Sequence, residues 1–142
     1  MARIRITLPD KFVYSTKIPI RIGDINRGGH LGHDSFLVII EEARERFFQS
    51  LGYSSGTGEV GFIITDVSVM YLRQGRYGQT LEVGIATTDF TTKGFDIVYK
   101  VTDTEKGLEL ARAKTGLLFY DYHKQSTTRI PQDLRIKFSY YE

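Results

Sequence analysis

Chemistry-bearing side chains crowd one short stretch of this chain. Between Gly23 and Asp34 stand two carboxylates (Asp24, Asp34), one amide (Asn26) and two imidazoles (His30, His33), and Glu41 follows eight residues after His33. Carboxylates and imidazoles move protons and attack carbonyl centres near neutral pH, so Asp24, Asp34, Glu41 and His33 are candidates for acid–base or nucleophilic work. Each has a plain structural use as well. Asp34 stands where a helix N-cap belongs. Asp24 can cap the turn, and Asn26 tolerates the left-handed backbone that a glycine-rich turn demands. His30 and His33 are spaced H-x-x-H, and Asp24, Asp34 and His123 could join them around a metal. A metal site needs three or four converging ligands, and nothing in the spacing makes these converge, so none is expected. His30 is expected to hydrogen-bond within the turn. Three cations sit in other turns: Lys93, and Arg73 with Arg76. Each can pair with a phosphate or decorate a solvated hairpin tip.

The surrounding pattern says what positions these groups. The segment from Phe12 to Arg21 mixes Val, Tyr, Thr and Ile and reads as a first strand. Four glycines then fall within the eleven residues from Gly23 to His33, which implies tight backbone or close approach to a ligand. From Asp34 to Leu51 the residues Phe36, Ile40, Ala43, Phe47 and Leu51 recur at helical spacing. Leu37, Ile39 and Phe48 widen that face, so the helix should be buried over much of its circumference. Asp34 or Ser35 caps its start and Gly52 ends it. Glu42 and Arg46 are a favourable pair at i,i+4, while Glu41 and Glu45 repel. Strands are then expected over Val60–Tyr71, Thr80–Phe90, Phe95–Asp103 and Leu108–Tyr120. Short glycine-bearing turns join the later ones, which makes neighbours antiparallel. The tail around Ile130-Pro131 is expected to pack loosely or add an edge. One long apolar helix with four or five long strands is best arranged as an α+β domain spanning 1–142, a curved sheet wrapped around the helix. One sheet face then needs a second copy to cover it, so a dimer at least is expected.

Composition excludes several classes. With 19 basic against 17 acidic residues the net charge is +2, no footprint of a nucleic-acid binder. The absence of cysteine removes disulfides, thiolate catalysis and cysteine zinc sites. No apolar run approaches the roughly 18 residues of a membrane span, and the first residues lack a signal-peptide pattern. A cytoplasmic protein without a membrane partner is the expectation.

The turn-and-helix segment resembles the 4-hydroxybenzoyl-CoA thioesterase family of hotdog proteins. The resemblance rests on Gly23-Asp24-Ile25-Asn26-Arg27-Gly28-Gly29-His30-Leu31-Gly32-His33 followed by Glu41-Glu42-Ala43-Arg44. Further blocks are Val69–Arg73 running into Arg76–Val83, and Ala111–Gly116 to Asp121, so that residues 12 to 135 are covered. It implies a hotdog fold and hydrolysis of an acyl-CoA thioester by a dimer or dimer of dimers with interface sites. No cofactor is implied beyond the CoA of the substrate. A backbone N–H at the helix start, of His33 or a neighbour, would polarise the thioester oxygen, with His30 and Gly32 beside the substrate. Lys93 matches a position where some members hold a base against the CoA nucleotide. The family's catalytic Asp position holds Asn26, an amide that cannot serve as nucleophile or base. The role would then pass to Glu41, Asp24 or Asp34, with Asn26 orienting a water or the thioester oxygen. Another branch of hotdog thioesterases carries its catalytic Glu on the central helix, about where Glu41 falls. Alternatively Glu41 is a structural carboxylate bonded to backbone or to Arg44. Two other functions fit the same resemblance, a non-catalytic acyl-CoA-binding protein and a hydratase or dehydratase using His30 or His33.

Overall fold

A computed structural model describes residues 1–53 and 60–139. In chain order the elements are β1 (Tyr14–Pro19), a 3-10 turn (Ile22–Asp24), α1 (His33–Ser50), β2 (Val60–Tyr71), β3 (Thr80–Thr88), β4 (Gly94–Asp103), β5 (Glu109–Asp121), β6 (Ser126–Thr127) and α2 (Gln132–Phe138). The sheet runs β1-β3-β4-β5-β2 with every pairing antiparallel, and β6 adds to β5. α1 lies against its concave face. This is the hotdog arrangement expected of one long helix and five strands.

Alternation explains the inner layer. Ile97, Tyr99 and Val101 of β4 point inward and are fully buried, as are Leu81, Val83 and Ile85 of β3. From α1, Phe36, Ile39, Ile40, Ala43, Phe47 and Phe48 meet them. Each Val, Leu, Ile or Phe among them contributes roughly 1.5–3 kcal/mol on burial. The buried stripe is narrower than the sequence suggests, because Leu37 is 38% exposed and Val38 54%.

Among the buried residues of α1, one breaks the apolar rule. Arg44 is 7% exposed, and its Nη1 donates to the Tyr99 hydroxyl at 3.3 Å. Tyr99 is in turn 2.9 Å from the Thr115 hydroxyl. The guanidinium lies 5.9 Å from the Phe62 ring centroid, and its Nε has no hydrogen-bond partner among the described residues. It forms no ion pair with Glu41 there, since its reach is inward to the sheet. Glu42 and Arg46 do pair, at 2.8 Å.

The tail departs from expectation. Residues 132–138 form α2, and Leu134 and Phe138 are fully buried. Phe138 packs against Phe95 with ring centroids 4.7 Å apart and against Phe90 at 5.5 Å. Pro131 precedes this short helix, at the end where a proline breaks no helical hydrogen bond. No described helix is long and apolar enough to cross a membrane.

Candidate active site

The loop between β1 and α1 is built by its own polar atoms. Asp24 is buried, and its carboxylate accepts from the Arg21 N–H at 2.8 Å and the Arg21 guanidinium at 3.4 Å. Asn26 Oδ1 accepts from the N–H groups of Gly28 at 3.0 Å and His30 at 3.3 Å. Its own N–H donates to the His30 carbonyl. The left-handed residue is Gly29, with φ of 84°, and Asn26 is not left-handed. Asn26 therefore works through its side-chain acceptor, a local bond typical of Asn. His30 stays within this loop as expected, its Nδ1 3.4 Å from the Leu31 carbonyl.

The helix starts one residue before the expected cap. Gly32 is the N-cap, with no side-chain cap bond from Asp34 or Ser35. Asp34 leans back over Gly32 so closely that a Cβ there would lie 2.5 Å from its Oδ1. The first intrahelical bond is Phe36 N–H to Gly32 carbonyl. The N–H groups of His33, Asp34 and Ser35 thus precede the helical ladder and carry its positive end.

A cavity of about 310 Å³ opens at this helix start. Its rim is polar, with Asn26, His30, His33, Arg73 and Gln74, and its floor is apolar, with Phe36, Leu81, Val101, Leu110 and Ala111. Tyr71 forms one wall, its ring edge-on to Phe36 at 5.4 Å. Burial, and then the Asp34 carboxylate, push the Tyr71 phenol above its ordinary range, so it is a neutral hydroxyl at physiological pH. Arg73 donates to the Glu109 carbonyl at 2.7 Å, and Arg76 to the Gly29 carbonyl at 3.2 Å and to Gln74 at 2.9 Å. Neither guanidinium forms an ion pair with a described carboxylate.

The structure thus brings Asn26, His30, His33 and Arg73 together around one cavity, with Gly32 and Asp34 in the adjoining first turn and Arg76 bridging the loops behind it. It leaves three candidates outside. Asp24 is turned into the 3-10 turn. Glu41 lines a separate groove of about 420 Å³ with Arg44, Glu45, Gly61, Phe62, Ile64 and Tyr122. Lys93, in the β3–β4 turn, lies at the far end of those strands from Leu81 and donates to Thr127 at 3.1 Å. No three described His, Asp or Glu residues could hold a metal ion together. Sequence reasoning missed Tyr71, Phe36 and the floor residues as site components, because their alternation reads equally as ordinary core.

The sequence profile of the thioesterase-like superfamily matches residues 20–138, the whole stretch from the end of β1 through α2. The chain belongs to the thioesterase-like superfamily. Solved structures agree on the fold of this thioesterase-like protein. A 1,4-dihydroxy-2-naphthoyl-CoA thioesterase from Synechocystis superposes with a TM-score of 0.82 at 19% identity, over 89% of this chain and 95% of its own. A DHNA-CoA thioesterase from Staphylococcus aureus gives 0.82 at 20% identity, over 89% and 88%. A Staphylococcus aureus protein solved in complex with CoA gives 0.84 at 15% identity, over 96% and 87%. No curated protein matches the chain in sequence.

Proposed function

We propose that this thioesterase-like protein hydrolyses an acyl-CoA thioester, holding the carbonyl at the start of α1 and the acyl group in the adjoining cavity. The carrying observation is a convergence at one place: helix N–H donors outside the ladder, an apolar floor, and at its rim Arg73, with Arg76 behind it, neither paired with a described carboxylate. The N–H of His33 or Asp34 polarises the thioester oxygen as it gains charge. Arg73 and Arg76 pair with CoA phosphates. The CoA arrives with the substrate, and the step calls on no other cofactor.

Among the described residues, no carboxylate lines the cavity of a single chain. Glu41 stands eight residues along α1 from His33, about 12 Å at 1.5 Å per residue. That is too far to act on a carbonyl held at its own helix start, so a second copy must supply it. β2 has 12 residues and is the last strand of the sheet path, open on its outer edge. Ile64, Val67 and Tyr71 of β2 expose apolar surface, as do Leu37 and Val38 of α1. Pairing β2 with its copy, antiparallel and over its full length, sets Gly61 and Phe62 opposite Met70 and Val69. The groove holding Glu41 then meets the cavity of the other protomer. There the carboxylate takes a proton from water, the hydroxyl adds to the carbonyl carbon, and the C–S bond breaks as that proton passes to the leaving sulfur, releasing acid and CoA thiol.

Because that carboxylate comes from outside the chain, a protein that binds acyl-CoA without cleaving it is the second reading. A thiol-release assay over a panel of acyl-CoAs separates the two, comparing wild type with Glu41→Gln and Asp24→Asn. Glu41→Gln is expected to lose a hundredfold or more in kcat/KM with its oligomeric state unchanged. Asp24→Asn is expected to lose stability and keep turnover. Wild type stabilised thermally by acyl-CoA yet releasing no thiol would sink hydrolysis and leave binding.

A further inference from the structure

The cavity floor holds a detail that names a class of substrate. The β4–β5 register runs Val101 opposite Ala111 and then Thr102 opposite Glu109, which leaves Leu110 as an extra residue in β5. Such a bulge re-aims side chains. Here both Leu110 and Ala111 line the cavity, although neighbours on a regular strand face opposite ways. The Leu110 carbonyl accepts the N–H groups of Leu72 at 2.8 Å and Arg73 at 3.0 Å, and the Gly75 carbonyl accepts that of Leu31 at 2.8 Å. Backbone bonds therefore tie the floor to the turn that follows β2, and that turn to the loop that starts α1.

Across the sheet at this level stand Tyr71, Ala111, Val101 and Val83. Ala111 is the smallest of the four and fills the least of the floor. The next row inward is Val69, Ala113, Tyr99 and Ile85. There Tyr99 is fully buried and held by Arg44 and Thr115, which closes the way along the sheet. The space of about 310 Å³ is roughly twice the 150 Å³ that accepts a benzene molecule.

We infer that Ala111, carried by the bulge at Leu110, sets the depth of the acyl pocket and restricts this protein to compact apolar acyl groups, one ring or a short chain in size. The inference rests on the thioesterase reading of the same cavity. A long chain has no room beyond Ala111, and a polar acyl end finds no partner on a floor of Phe36, Leu81, Val101 and Leu110.

The test uses the full chain as wild type, Ala111→Leu, Ala111→Val and Tyr71→Ala. Thiol release and thermal shift are both read with acetyl-, hexanoyl-, benzoyl- and palmitoyl-CoA. Wild type is expected to favour hexanoyl- and benzoyl-CoA over palmitoyl-CoA by tenfold or more in kcat/KM. Ala111→Leu should lose at least tenfold on those two while acetyl-CoA stays within threefold, and Ala111→Val, the gentler filling, should fall between. Tyr71→Ala, which removes a wall, should raise palmitoyl-CoA relative to hexanoyl-CoA by about tenfold. Palmitoyl-CoA cleaved as well as hexanoyl-CoA by wild type would overturn the proposal, and so would Ala111 fillings that lower acetyl- and hexanoyl-CoA by one factor. If wild type releases no thiol but its thermal shifts keep the size ranking, hydrolysis fails and the pocket stands. If neither readout ranks the ligands by size, the pocket assignment fails as well.

Discussion

The two ends of α1 differ more from each other than the helix does from the sheet. Its first turn borders a cavity with a polar rim and N–H groups outside the ladder. Its last turns are sealed in aromatic rings: Phe48 stacks on Phe62 at 4.8 Å, approaches Phe95 at 6.4 Å and touches Phe47 at 5.6 Å. Phe119 and Phe138 extend this cluster through Phe95. One helix thus packs the core at its C-terminal half and borders the candidate site at its N-terminal end. A fully packed helix start would leave no room for an acyl group, and an open aromatic end would forfeit the core.

The sharpest way to break this division is to weaken the sealed end. Phe48→Ala is expected to cost about 3–5 kcal/mol of unfolding free energy, measured by urea titration. Turnover per folded molecule should change little, and a matching loss of kcat/KM in the folded fraction would dissolve the comparison. The reverse change is Asn26→Ala at the open end, which removes the acceptor for two solvent-facing N–H groups. A stability loss near 1 kcal/mol is expected, with a tenfold or larger fall in kcat/KM as the loop before α1 loosens. Asn26→Asp keeps an acceptor there and should recover most of the loss.

The smallest effect lies away from both ends. On β2, Asp66 accepts from Lys114 Nζ at 2.7 Å and from the Gly116 N–H at 3.0 Å. The hydrogen bond from Lys114 holds its carboxyl below the usual carboxylate range. A depressed folded-state value stabilises above the unfolded value near 3.9 and is lost as pH falls through the folded one. Asp66→Asn should therefore flatten the stability profile slightly below about pH 4 and leave it within about 0.5 kcal/mol of wild type. Turnover at pH 7 should not move.

Much of the fold was legible because its signals are periodic and local. Helical spacing from Phe36 to Leu51 placed α1 to within a residue at each end, and Val60–Tyr71 was read with its observed limits. Glycine marked the end of the helix correctly, with Gly52 at φ of 77°. What escaped was decided by distant contacts. In residues 132–138 the apolar positions Leu134, Ile136 and Phe138 alternate as in a strand and do not announce a helix, and it takes contacts distant in sequence, Phe90 and Phe95 among them, to make Phe138 a core residue. Asn26 looked suited to a left-handed turn, but neighbouring Gly29 takes that conformation and frees Asn26 for hydrogen bonding. The site was half legible. Residue types singled out His33, Asn26 and Arg73, and the structure gathers them. Tyr71, Leu110 and Ala111 carry no chemical signal, and a bulge that turns two consecutive residues to one face is invisible to a period of two.

The buried chain of Arg44, Tyr99 and Thr115 bears on how this sheet finds a single alignment. Sliding β4 against β5 by one residue would turn every side chain to the wrong face, and burial forbids it. Sliding by two keeps all faces correct and swaps one apolar residue for another, so burial alone resists it weakly. Tyr99 faces Ala113 and reaches diagonally to Thr115, and in a strand offset by two that hydroxyl would meet an apolar neighbour with Arg44 stranded above it. This polar thread acts as a locating pin, rejecting misaligned sheets that greasy surfaces would accept, and an all-apolar replacement would trade that discrimination for tolerance of error.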